Sequence, residues 1–165
     1  MKKWLLYLTV LSAHLGLAQT TDWAAIRADF VVAVQHRQRC AAAIVKLQSY
    51  PDLALATGYS GAFTMVMARH TANPFKKLRY FRDGKALLER AIKASPQDTE
   101  LRFLRLSLQH NLPAILNYST AIKTDTEFVL RNFKRIKATD LRKIIVDFFS
   151  ATDLLSTAQQ KQISG

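Results

Sequence analysis

The chain has 165 residues, with 24 Lys and Arg against 12 Asp and Glu for a formal net charge of +12, 49% hydrophobic residues and one cysteine, Cys40. A lone cysteine excludes an internal disulfide, and past the N-terminal leader no stretch approaches the ~20 apolar residues of a membrane-spanning helix. The length suits one domain able to bury a core without staples.

Met1-Lys2-Lys3, the apolar run Trp4 to Leu11 and the small residues Gly16 and Ala18 follow the order of a secretory signal peptide. Residues 1–18 are therefore expected to be cleaved near Ala18. Residues 19–165 should then be exported, periplasmic or secreted, with no transmembrane helix in the mature chain. Only Lys2 and Lys3 among the cations fall in that leader, so the positive excess belongs to the domain.

Asp22 opens the first mature helix, with Trp23, Ile26, Phe30 and Val34 at helical spacing. The polar stretch His36 to Arg39 leaves two readings of Asp22 to Gln48, one long bent helix or two helices with a tight turn. Ser49-Tyr50-Pro51-Asp52 is a stronger break, and Pro51 or Asp52 should begin a helix through Met67. Gly58, Ser60 and Gly61 lower its helix propensity but permit close backbone approach, which places it in the crowded middle of the molecule. Asn73-Pro74 is a cap followed by proline at the first helical position. Phe75, Leu78, Phe81, Leu88, Ala91 and Ile92 then mark one apolar stripe ending before Pro96. Asp98 should cap the next helix, with Leu101, Leu104 and Leu108 on one face and Phe103 and Leu106 beside it. So short a connection makes the two helices, Asn73 to Ala94 and Asp98 to His110, an antiparallel hairpin around which the chain is organised. Ser119 or Thr120 should cap a helix carrying Val129 and Phe133. Thr139-Asp140 should cap another carrying Leu141, Ile145 and Phe149, and Ser156 or Thr157 a short last helix.

Gly84, Leu88, Ala91, Ile92 and Pro96 match the small, large, Ala, apolar, Pro spacing of the second helix of a tetratricopeptide-type repeat, and this part of the chain resembles that family. The segments NPFKKLRYF, LLERAI and ELRFLRLSLQHNLP are similar to those of small exported bacterial proteins with a repeat-like helical core. The resemblance covers Gly58 to Tyr118. The expected first repeat helix is only faintly matched by Gly58, Tyr59, Gly61 and Ala62, and Asn73-Pro74 interrupts the repeat. It implies an all-α fold of antiparallel helical hairpins, stacked as a degenerate TPR-like domain of six or seven helices. It also implies a concave groove lined by the Leu53 to Met67 helix, with a protein or peptide as its partner.

Chemistry-bearing motifs are scarce. His36, His70 and His110 fit no metal-ligand spacing, and Ser60 in GYSGA is misplaced for a nucleophile elbow. No catalytic residue, metal or cofactor is expected. Lys76, Lys77, Arg79, Arg82 and Lys85 concentrate charge on one helix beside Tyr80 and Phe81, and Arg131 to Lys143 form a second basic cluster. Export disfavours nucleic acid as the partner, leaving acidic protein partners or an anionic envelope surface. Arg102 and Arg105 share one helix face, and the expectation is that one of them pairs with Glu89 to fix the hairpin register, a ligand-facing role being the other reading. The combined reading is an exported, non-enzymatic TPR-like module for protein–protein interaction. The alternative is a binder of anionic envelope lipid or polysaccharide through Lys76, Lys77, Arg79 and Arg82.

Overall fold

The computed structural model describes residues 21–164, so the expected signal peptide lies outside the described residues. The described chain forms eight α-helices: α1 (Trp23–Val32), α2 (Arg37–Leu47), α3 (Ala54–Met67), α4 (Pro74–Ala94), α5 (Thr99–Asn111), α6 (Ile122–Asn132), α7 (Thr139–Ser150) and α8 (Thr157–Ser164). Short 3₁₀ turns lie at Ala68–His70, Ala114–Leu116 and Phe133–Arg135, and there is no strand among the described residues. The all-α expectation holds. There are eight helices instead of six or seven because the Asp22 to Gln48 segment is divided into α1 and α2. The backbone N–H groups of Gln35 and His36 both turn back to the Val32 carbonyl, which ends α1.

Several helix starts follow the capping chemistry read from the sequence. Asp22 accepts from the Ala25 N–H, Asn73 from the Lys76 N–H, and Asp98 from the N–H groups of Glu100 and Leu101. Ser156 and Gln159 form a reciprocal capping box at α8. Other starts differ. Helix α3 begins at Ala54, not at Pro51 or Asp52, because a turn closes first from the Leu53 N–H to the Tyr50 carbonyl. Helices α6 and α7 start behind Ala121 and Ala138 with no side-chain cap, so Ser119 and Thr120 fall short of α6 while Thr139 and Asp140 lie inside α7, where Asp140 pairs with Arg27.

Two apolar clusters make the core, and α5 is the wall between them. Leu101, Leu104 and Leu108 pack with α1 to α4, while Phe103 and Leu106 pack with Val129, Phe133, Leu141, Ile145 and Phe149. A fully buried Leu or Ile is worth roughly 1.5–3 kcal/mol relative to its exposed state, so both faces of α5 hold it in place.

The organising hairpin is α3–α4, not the predicted pair of α4 and α5, since α4 packs far more extensively on α3 than on α5. Glycine accounts for the difference. A Cβ at Gly61 would lie 2.6 Å from the Gly84 carbonyl oxygen, and one at Gly84 would lie 2.5 Å from the Gly61 carbonyl oxygen. With no side chain at either position, the two backbones run antiparallel in direct contact, Gly61 level with Gly84 and Leu88, and Gly58 level with Ala91.

Candidate binding groove

The antiparallel register leaves the beginning of α4 beyond the reach of α3, with the Ala68–His70 turn packed on α4 past it. Helix α3 ends at Met67, level with the Phe81 region, so the first two turns of α4 project past it. The predicted stripe is accordingly uncovered at that end, with Phe75 82% and Leu78 40% exposed. Beside these turns lies a groove of about 1380 Å³. Its base is made of the buried side chains Met65, Phe81, Phe103 and Leu108. Its sides come from Ala28 and Val31 of α1, Pro74 and Leu78 of α4, Leu112, Pro113, Ile115 and Leu116, and Ile144 and Phe148 of α7. Val31 is 55% and Ile115 91% exposed, so the apolar surface continues onto the rim. Only Met65 and Val66 of α3 reach the groove, together with Ala68 and Arg69 of the following turn. Most of the expected Leu53 to Met67 lining is buried inside the molecule, because the glycine seam spends that face on α4.

Charge on the rim is unevenly compensated. Asp140 is held by Arg27 at 3.0 Å, and Asp147 by Lys143 at 2.6 Å. Burial disfavours the charged form of Asp140, but the hydrogen bond and charge of Arg27 outweigh it and hold the carboxyl below its ordinary range. Arg69 and Lys77 have no acidic partner among the described residues, so the uncompensated charge at the groove is positive.

The sequence-predicted site residues divide into two groups. Lys76, Lys77, Arg79 and Arg82 are all exposed on α4, and Lys77 alone of them lines the groove. Phe75, Arg79 and Arg82 share the outward face at i, i+4 and i+7. Arg79 faces Asp83 at 3.9 Å between two exposed side chains, a contact of little energetic weight. Lys85, by contrast, lies over the Tyr118 ring at 4.6 Å.

Arg102 and Arg105 belong to a buried network and are not available to a ligand in the groove. Arg105 makes a two-pronged pair with Asp125, at 2.7 and 2.9 Å, and donates to Glu89 at 2.8 Å. Arg102 donates to Asp125 at 3.0 Å and to the Pro96 carbonyl at 3.1 Å. The expected register pair is therefore Glu89 with Arg105. Asp125, 0% exposed, is the anion at the centre of this network. Burial works against the Arg105 charge, and Asp125 and Glu89 more than offset it, so its pKa rises. The Tyr118 hydroxyl donates to Glu89 at 2.5 Å, and burial followed by Glu89 raises its pKa.

A second network escaped sequence reasoning altogether. Arg27 of α1 makes a two-pronged pair with Glu100 of α5 at 2.7 and 2.8 Å, and the Tyr59 hydroxyl donates to the same carboxylate at 2.6 Å. Burial first and then Glu100 raise the Tyr59 pKa, while Glu100 is the main cause of the raised Arg27 pKa. The available signal was a charged residue one place after Ile26 on an apolar helix face, but its partners are 73 and 113 residues away.

Cys40, His70 and His110 each have a partner. The Cys40 thiol is buried, donates to the Phe63 carbonyl at 3.1 Å, and burial pushes its pKa up to about 11. The His70 ring donates from Nε2 to the Ala33 carbonyl at the end of α1, and His110 lies edge-on to Phe148. Among the described residues no three of His, Cys, Asp and Glu gather as a metal-ligand set. A smaller, polar hollow of about 610 Å³ beside the start of α5 carries Arg135 and Lys137 of the second basic cluster. Comparison of the chain with protein families, with curated proteins and with solved structures returns no match.

Proposed function

We propose that this chain is an exported, non-enzymatic, TPR-like interaction module whose groove receives an amphipathic helical segment of a partner protein. The observation that carries this reading is the continuity between a buried apolar base and an exposed apolar rim, from Phe103 and Leu108 out to Val31 and Ile115. An apolar surface of that extent, bounded by polar residues, is the usual form of an interaction site. A helix about 10–12 Å across presents an apolar stripe suited to such a channel between helices. The unpaired Arg69 and Lys77 select acidic residues on the segment's polar edge, because the groove's own carboxylates are already engaged by Arg27 and Lys143. The close α3–α4 hairpin and the Pro96 turn support the repeat-like part of the reading.

The test places a photo-crosslinking amino acid at Val31, an exposed position whose replacement leaves the core intact. The expected product joins Val31 to one helical segment of one protein, is suppressed by a synthetic peptide of that segment, and is lost in a Leu78→Arg background. Crosslinks scattered over unrelated proteins, or undiminished by Leu78→Arg, would remove the groove as the binding site.

A further inference from the structure

We infer that the end of the molecule formed by the first turns of α4 and the Ala114–Leu116 turn docks on an anionic lipid surface. This inference shares Lys77, Leu78 and Ile115 with the groove rim but turns on Phe75, Arg79 and Arg82, which do not line the groove. Phe75 is 82% exposed on the outward face of α4, and Ile115 is 91% exposed on the 3₁₀ turn. Pro74, Leu78 and Ile115 line the same groove, and Phe81 of α4 meets Tyr118, just past the 3₁₀ turn, edge-on at 5.9 Å, which ties the two segments together. The apolar projections thus flank one groove. Lys76, Lys77, Arg79 and Arg82 follow Phe75 within two turns of α4.

The placement of these cations works against folding. The first turn of a helix carries the positive end of its macrodipole, where acidic residues stabilise and basic ones destabilise by a few tenths of a kcal/mol. Helix α4 has no acidic residue in its first turn and carries Lys76 and Lys77 at its start. Among the described residues only Arg79 of the four cations has a carboxylate within 4.0 Å, and that contact is 3.9 Å long. Stability does not account for the arrangement, whereas a ligand with dispersed negative charge does.

The exposed rings and aliphatics decide which ligand. A soluble polyanion or an acidic protein edge satisfies the cations and leaves Phe75 and Ile115 in water. A lipid surface satisfies both, since headgroup phosphates take the cations while the acyl boundary takes the apolar tips. Among the described residues no helix is long and apolar enough to cross a membrane, so the contact is one of lying on the surface.

The experiment uses the full chain with a fluorophore that brightens in apolar surroundings, attached at Phe75→Cys. Cys40 is buried and stays unlabelled. Vesicles are phosphatidylcholine alone or phosphatidylcholine mixed with phosphatidylglycerol. Emission from position 75 is expected to rise with the mixed vesicles only, and to fall back as salt screens the charges over about 8 Å. Neutralising Arg79 and Arg82 to Gln should weaken vesicle affinity about fivefold per cation. Phe75→Ser with Ile115→Ser, read by sedimentation, should weaken it about tenfold or more at unchanged charge. Thermal unfolding of each variant should match the parent, because these side chains are exposed. Silence of the position-75 fluorophore on mixed vesicles overturns the inference even if the chain sediments through another segment. Equal brightening on phosphatidylcholine alone, or undiminished binding by the double serine variant, overturns it as well.

Discussion

The two buried ionic networks solve one problem with opposite polarity. Around Arg27 a single cation is shared by Glu100 and Asp140, and it joins α1 to α5 and α7 across most of the chain. Around Asp125 a single anion is shared by Arg102 and Arg105, and it joins α5 to α6, its neighbour in sequence, with Glu89 extending the link to α4. Each network also takes one phenol, Tyr59 or Tyr118, as a hydrogen-bond donor. The first closes the fold between distant helices, and the second fixes register between consecutive ones. Buried charge is close to balanced in both, so the positive excess of the described residues is carried by the surface.

Removing each central ion tests that contrast most severely. Asp125→Ala leaves Arg105 buried with only the half-exposed Glu89, and should cost about 3–5 kcal/mol in urea unfolding. Its loss of amide protection should centre on α4, α5 and α6. Glu100→Gln should cost about 3 kcal/mol, since Asp140 still faces Arg27. Protection should there be lost first in α1, with α4 to α6 intact. If both variants lose protection in the same helices, the division into closing and register networks is wrong.

A variant that touches no charge calibrates the scale. Gly84→Ala places a Cβ against the backbone of Gly61 and Met65, atoms that cannot swing aside, and should cost about 2 kcal/mol or more in the same unfolding measurement. Unchanged stability would show that the α3–α4 seam can open at little cost.

The phenols give smaller effects and a pH signature. Tyr59→Phe and Tyr118→Phe should each cost about 1 kcal/mol. Both hydroxyls have raised pKa values in the folded chain, chiefly through burial. Above the ordinary value of about 10 the unfolded chain releases protons that the folded chain keeps, so this stability is fully present below pH ~10 and declines as pH rises. A parent whose stability does not fall on the alkaline side, or falls no faster than that of the double Phe variant, would contradict the assignment. The smallest effect belongs to Asp140, whose side chain is 37% exposed. Its lowered pKa makes its contribution present above pH ~4 and lost as pH falls further. Asp140→Asn should change neutral stability by less than about 1 kcal/mol and flatten the acid side of the profile.

Legibility in the sequence followed the range of the interaction. The Asp98 cap, the Pro96 turn and a pairing of Glu89 with Arg102 or Arg105 were readable because their partners lie within one hairpin, and the structure selects Arg105. The expected caps at Thr139-Asp140 failed because α7 already starts at Thr139, which puts Asp140 inside the helix, where Arg27, remote in sequence, holds its carboxylate. The Phe75 to Ile92 stripe was read as apolar, but how much of it is covered was not readable. Periodicity shows which face of α4 is apolar, while the length of the helix packed against it sets how much of that face is hidden. The groove was misplaced for a related reason, since a glycine-bearing helix was given a ligand face that its packing on α4 consumes.

By itself the sequence determined the all-α class, most helix ends and the basic outer face of α4, because periodicity, caps and charge act within a few residues of chain. Tertiary structure alone decided that α3 and α4 form the tight hairpin, that Arg27 meets Glu100 and Asp140, and that Phe75, Leu78 and Ile115 stay exposed. Those outcomes depend on which surfaces reach each other once the helices are packed, and local pattern carries no record of that.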